Sequence, residues 1–259
     1  MKIIFLGTGT SSGVPIVGCD CEVCQSTDPK DNRLRSSVLV EVEGKNILID
    51  IGPDFREQML RSKVKRIDAV LLTHEHNDHI IGLDEIRVFN FIQRESIPVY
   101  ATQRVIGELK KRFYYLFQEK LYPSAPRITI QEVHKDQVID FEGIQIQPIE
   151  YFHDLEHRWP VTGYRIKDFT YLTDFKTITP EELAKTKGTA LLVISAVQHR
   201  PHRSHLNLSE ALTWTAKIQA AQTYFIHMSH FIGLHRVAQN SLPDTVHFAY
   251  DGLVVNLKK

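Results

Sequence analysis

The chain has 259 residues, a length that suits one enzyme-sized domain with a substantial core. Lysine plus arginine equals aspartate plus glutamate at 31 each, so no global field recruits nucleic acid or an anionic membrane, and any grip on phosphate must be local. No apolar stretch approaches the length that crosses a bilayer, and MKIIFLGTG at the N-terminus has strand character without a cleavage pattern; the expectation is a cytoplasmic chain with no membrane partner.

Lys2 to Gly7, Ser37 to Val42 and Lys45 to Asp50 read as strands, the latter pair joined at Glu43-Gly44 as a hairpin, and Asp54 to Ser62 reads as a helix. Between the first two strands lies a turn-rich loop carrying Cys19, Cys21 and Cys24, the only cysteines of the chain. An odd count at C-x-C-x-x-C spacing argues against a disulfide framework. In a reducing compartment three clustered thiolates read as a structural zinc site that lacks one ligand.

Arg66 to Thr73 (RIDAVLLT) reads as a buried strand, and Ile80 to Ile92 carries apolar residues at helical spacing. Between them His74, His76, Asp78 and His79 put three imidazoles and one carboxylate into six residues. Such groups donate lone pairs to a borderline cation, so zinc, manganese or iron suits them better than magnesium or calcium. The strand would fix His74 and His76 while the helix start presents Asp78 and His79, so one loop can serve two adjacent ions. Asp50 ends the strand ILID, where its carboxylate can accept a hydrogen bond from a ligand imidazole and fix the tautomer.

The second half repeats the alternation around a helical middle. Gln137 to Asp140, Gly143 to Tyr151, Thr162 to Ile166 and Phe169 to Thr173 read as strands, followed by a helix over Pro180 to Thr186 and a strand over Ala190 to Ser195. A helix over Ser209 to Gln219 and a strand over Thr223 to His227 complete it. Layers of helix, sheet, sheet, helix follow, an α/β four-layer sandwich formed as a single domain over residues 1–259, with no linker or sequence repeat to divide it. His153 and Asp174 sit where strands end, the same address as His74. His157, four residues beyond His153, competes for the same role. His230 is placed to supply the fourth ligand of the cysteine loop.

H-x-H-x-D-H resembles the signature of the metallo-β-lactamase superfamily. That resemblance implies a lone His completing the first metal's shell, an Asp bridging both metals and a last His completing the second; His153, Asp174 and His227 match that order. Gly7-Thr8-Gly9-Thr10, Gly13-Val14-Pro15, the cysteine loop and the terminal His227-Met228-Ser229-His230 together resemble the PhnP phosphodiesterase group over nearly the whole chain, although PqqB-like proteins share a similar cysteine loop. The stretch between His153 and Gly163 departs from that group in length. The likeness implies two catalytic divalent metals (Zn or Mn, with Fe as a third option), one structural Zn on Cys19, Cys21, Cys24 and His230, and hydrolysis of small or cyclic phosphodiesters such as 2′,3′-cyclic nucleotides.

Two adjacent ions lower the pKa of a bridging water and bind the phosphate oxygens whose charge grows during in-line attack. The leaving alkoxide then needs a proton. His205 precedes Leu206-Asn207-Leu208-Ser209, a segment that resembles the one carrying the family's non-ligand catalytic His, so His205 and Asp78 are the expected catalytic residues. Arg200 and Arg203 are candidates for a phosphate oxygen, or equally a solvated basic loop. The expected partner is a small phosphodiester; a nucleic acid larger than a nucleotide is disfavoured by the zero net charge, and a homodimer stays open. Competing activities are tRNA 3′ processing and thioesterase or glyoxalase chemistry. β-Lactam hydrolysis is disfavoured by Asp174, and a non-catalytic metal-stabilised module by the bridging carboxylate.

Overall fold

The computed structural model describes residues Met1–Leu257. Fourteen strands are found among them: β1 (Lys2–Gly7), β2 (Ser37–Val42), β3 (Lys45–Ile49), β4 (Ala69–Leu71), β5 (Ile97–Ala101), β6 (Ile128–Glu132), β7 (Ile139–Phe141), β8 (Ile144–Phe152), β9 (Pro160–Ile166), β10 (Phe169–Leu172), β11 (Leu191–Ser195), β12 (Gln222–Ile226), β13 (Val246–Phe248) and β14 (Val254–Asn256). The helices are α1 (Phe55–Ser62), α2 (Asn77–Ile80), α3 (Arg87–Gln93), α4 (Gln103–Arg112), α5 (Pro180–Ala184), α6 (Leu208–Ile218) and α7 (His235–Gln239). The class is α/β.

Two compact units interleave along the sequence. One comprises Met1–Leu6, Ser37–His134 and, of the described residues, 252–257; the other comprises Gly7–Ser36 and Lys135–Asp251. In the first, seven strands lie in the order β14-β1-β2-β3-β4-β5-β6. β3, β4, β5 and β6 run parallel, so the loops after β3 and β4 leave from one sheet edge. Its core sets Leu39, Leu48, Val70 and Val99 of the sheet against Phe55, Leu83, Phe89, Val105 and Leu109 of the helices. Each such side chain, fully buried, contributes about 1.5–3 kcal/mol.

The second unit orders its strands β13-β12-β11-β10-β9-β8-β7. Here β10, β11, β12 and β13 are parallel while β7 to β10 form an antiparallel meander. Leu172, Leu192, Ile194 and Phe225 of its sheet pack with Leu208, Ala211 and Ile218 of α6 and with Ala238 of α7. Asn207 starts α6 with a capping box: its side chain accepts from Glu210 N–H while the Glu210 carboxylate accepts from Asn207 N–H.

The helix expected over Ile80 to Ile92 is broken. α2 stops at Ile80, a 3-10 segment covers Ile81–Ile86, and α3 resumes at Arg87. Close backbone approach is the cause. Ile51 N–H donates to His79 O, Gly82 N–H donates to Ile51 O, and a Cβ on Gly82 would lie 2.1 Å from Gly52 O. The strand expected from Arg66 to Thr73 is confined to Ala69–Leu71 because ladder pairing ends there. α4 falls in the middle expected to be helical, but β5 and β6 cross that same stretch as strands, and α7, β13 and β14 are additional to the expected elements; several are three to five residues long, and a half-exposed edge segment such as ITIQE shows little periodicity.

Candidate metal centre

In the first unit the ligand loop leaves β4 and enters α2. His74, Asp78 and His79 are buried, His76 half-buried. The donors fall into two pairs: His74 Nε2 lies 3.0 Å from His76 Nδ1, and His79 Nε2 lies 3.1 Å from an Asp78 carboxylate oxygen. Asp50, fully buried at the end of β3, organises both pairs. One carboxylate oxygen accepts from Thr73 N–H at 2.9 Å; the other accepts from Thr73 Oγ1 at 2.9 Å and from His79 Nδ1 at 2.7 Å.

Proton placement follows from these bonds. His79 Nδ1 must carry the hydrogen that Asp50 accepts, which leaves a lone pair on Nε2. Thr73 spends its hydroxyl proton on Asp50, so His74 Nδ1, 3.0 Å from Thr73 Oγ1, is the donor there and its Nε2 also keeps a lone pair. These are metal-binding tautomers. Sequence reasoning anticipated Asp50 but missed Thr73. It also missed a clamp on Glu75, whose carboxylate pairs with Arg104 at 2.6 Å while its backbone carbonyl accepts from Arg112, tying the loop to α4.

In the second unit His153, Asp174 and His227 occupy positions just past β8, β10 and β12 and are buried. The structure gathers them around Asp174. One carboxylate oxygen lies 2.9 Å from His227 Nδ1 and the other 3.7 Å from His153 Nε2. His153 Nδ1 donates to Ser204 O at 2.6 Å, leaving Nε2 with its lone pair toward Asp174. His157 is elsewhere, with its ring stacked on Phe152 at 4.2 Å.

Asp50, Asp174 and His227 all have φ between 51° and 63°. Non-glycine residues rarely adopt that left-handed region, with Asp and His among the more tolerant, so each strand ends in a sharp turn at the residue that carries the functional group. His205 stands against the rings of His153 (4.4 Å) and His227 (4.9 Å). Burial drives its pKa well below the ordinary value, with the neighbouring imidazoles adding to that and Asp174 opposing it. Its Nδ1 is shielded and has no hydrogen-bond partner among the described residues. Arg200 and Arg203 are exposed.

The second unit also gathers Cys19, Cys21, Cys24 and His230. His230 Nδ1 lies 3.3 Å from Cys19 Sγ and 3.4 Å from the sulfurs of Cys21 and Cys24. A tetrahedral zinc with ordinary bond lengths separates its sulfur and nitrogen ligands by about 3.6 Å, so this donor set fits one ion. Cys24 N–H points at Cys21 Sγ and holds that thiol down at about 6, whereas burial pushes Cys24 up to about 11. Asp31 ties the two halves of this site together. It accepts from Ser26 Oγ at 2.6 Å and from His235 N–H at 2.7 Å, while buried Arg33 donates to Ala249 O and Thr8 Oγ1 and contacts His235 Nδ1 at 3.2 Å.

Residues 45–228 match the β-lactamase superfamily domain family. Together with the two mixed sheets, this defines a protein of the metallo-β-lactamase fold. Within that class the chain belongs to the PhnP family: it is 37% identical to a diphosphatase of that family whose crystal structure superposes with a TM-score of 0.91, over 99% of this chain and 98% of that one. The chain is also 40% identical, over 98% of its length, to an octanoyltransferase of Porphyromonas gingivalis, of which it spans only 51%. Zinc-bound PqqB from Methylobacterium extorquens, 17% identical with a TM-score of 0.80 over 99% of this chain and 100% of that one, shares the fold. Among the described residues no helix is long and apolar enough to cross a membrane.

Proposed function

We propose that the protein is a metal-dependent phosphodiesterase for small or cyclic phosphodiesters, 2′,3′-cyclic nucleotides being the representative class. The observation that carries this reading is the arrangement of donors: His74 with His76 and Asp78 with His79 in one unit, and Asp174 between His153 and His227 in the other. His153, Asp174 and His227 would serve as metal ligands like His74, His76, Asp78 and His79, and the chain would act as a single catalytic domain. Kinship with a PhnP-family diphosphatase supports phosphorus as the electrophile. Two divalent ions, zinc or manganese, would supply hydroxide near neutral pH and offset charge on the phosphate oxygens. Cys19, Cys21, Cys24 and His230 would hold a separate structural zinc, which a reducing compartment such as the cytoplasm would preserve.

The chain's own residues then do the rest. Asp50, Thr73 and Ser204 set imidazole tautomers, and His205 delivers a proton or hydrogen bond to the departing oxygen. Burial lowers its pKa and so disfavours the charged imidazolium in this setting. Replacing it with alanine should preserve metal content and cost about 10²–10⁴ in rate on a 2′,3′-cyclic nucleotide but far less on a bis-nitrophenyl diester, whose leaving group departs unaided. Equal losses would make His205 a phosphate-binding residue.

A second reading is acyl-transfer or thioesterase-type chemistry, set beside the first because the chain matches half of an octanoyltransferase. A screen of metal-reconstituted protein against an aryl diester, 2′,3′-cyclic nucleotides, a precursor tRNA and a medium-chain acyl thioester separates the readings. Turnover of the thioester without either small diester would overturn the phosphodiesterase reading, and preference for precursor tRNA would place the chain with the processing endonucleases.

A further inference from the structure

Lys176 follows two residues behind Asp174, and its ammonium is buried inside the second unit. Water is replaced there by four acceptors. Nζ donates to His202 O at 2.9 Å, to His205 O at 3.1 Å and to both carboxylate oxygens of Glu210 at 3.0 Å. A buried charge is costly unless it is compensated in this way, and the compensating groups are thereby held in place.

What they hold is one turn. Ser204 N–H and His205 N–H both point at His202 Nδ1, 3.2 Å away, so the His202 ring closes the turn from inside. Ser204 O is the acceptor that fixes His153 Nδ1–H, and the next residue is His205 itself. Glu210 is independently pinned by the capping box of α6. Lys176 therefore links a fixed carboxylate to the two carbonyls that bracket a segment serving both a ligand imidazole and the proton donor.

We propose that Lys176 is a positioning residue of the active site: its ammonium sets the His202 to His205 turn, and through that turn the tautomer of His153 and the orientation of the His205 ring. The inference rests on the roles assigned above to His153 and His205. Neither the H-x-H-x-D-H loop nor the cysteine site takes part in it.

Lys176→Met keeps the aliphatic stem and removes the four hydrogen bonds. In the metal-free wild-type protein, nitrogen-15 NMR should show His153 Nδ1–H as a slowly exchanging imidazole proton, and the variant should lose that protection. In the metal-loaded protein the variant should lose about 10- to 100-fold in kcat on a 2′,3′-cyclic nucleotide, less than about threefold on the nitrophenyl diester, and little further in a His205→Ala background. Retained protection of His153 Nδ1–H overturns the proposal, as does a loss that multiplies fully with that of His205→Ala. If His205→Ala alone shows no dependence on leaving group, its role as proton donor falls, while the His153 signal still decides Lys176. Should Lys176→Met fail to fold, Glu210→Gln removes the countercharge at nearly constant shape, and it must move both readouts in the same direction or the proposal fails.

Discussion

His153 and His157 lie four residues apart, and the choice between them turns on where each ring is held. His153 directly follows β8 and is pinned by Ser204 O, whereas His157 is stacked on Phe152. Alanine at His153 should cost catalytic metal, read by metal analysis after gel filtration, and alanine at His157 should leave the content unchanged; the reverse result would transfer the ligand role. A second residue-scale prediction concerns His235, whose pKa burial lowers to about 4, with Arg33 and Lys30 adding to the effect. The folded state binds fewer protons than the unfolded one between that value and the ordinary 6.5. Stability from this group is therefore complete above about pH 6.5 and lost as pH falls toward 4, by about 3 kcal/mol at the limit. Denaturant midpoints measured from pH 7 to 4.5 should fall less steeply for His235→Gln, which offers Arg33 an accepting oxygen and does not titrate; parallel curves would refute the assignment.

At the scale of elements, the ligand loop depends on neighbours that the local sequence does not announce. Gly82 is the tightest point, since its backbone lies against Ile51 and Gly52 and any Cβ would strike the Gly52 carbonyl. Gly82→Ala should therefore destabilise the protein by about 1–3 kcal/mol or more, because overpacking against backbone has no flexible side chain to absorb it. It should also weaken metal binding, since α2 carries Asp78 and His79 and is fixed to Asp50 by the same loop. A melting temperature equal to wild type would show that the 3-10 segment can shift freely. The α4 clamp on Glu75 and the turn anchored by Lys176 work likewise, each closing a connection between segments about 30 residues apart in sequence. Local periodicity cannot report such connections, which is why the helix expected over Ile80 to Ile92 appeared continuous from its apolar spacing alone.

For the whole molecule, the expected complement is three metals per chain, two catalytic and one structural. Asp78→Ala should deplete the catalytic pair and spare the cysteine-bound zinc. Cys21→Ser should do the opposite and lower the unfolding temperature before it lowers the rate per folded molecule, since structural zinc supplies folding free energy. Elemental analysis showing full zinc in the cysteine variant would remove that site. Chelation should proceed in two stages if the sites are independent.

The chain by itself determined the inventory of chemistry and most of its addresses. Imidazole, carboxylate and thiolate cannot be mistaken for other groups, H-x-H-x-D-H and C-x-C-x-x-C are local spacings, and a ligand at the end of an apolar strand is aimed by that strand wherever the strand lies. Kinship with the PhnP family followed from the same motifs. Tertiary structure decided the rest. It brought His230 to cysteines 206 to 211 residues away, gave Asp50 its two partners on the ligand loop, aimed His153 rather than His157 at Asp174, and put Ser204 and Lys176 behind the proposed proton donor. Each of these is a hydrogen bond or close approach between distant segments, set by the register of parallel strands and by left-handed turns at their ends, and pairings over such separations leave no trace in a window of neighbouring residues.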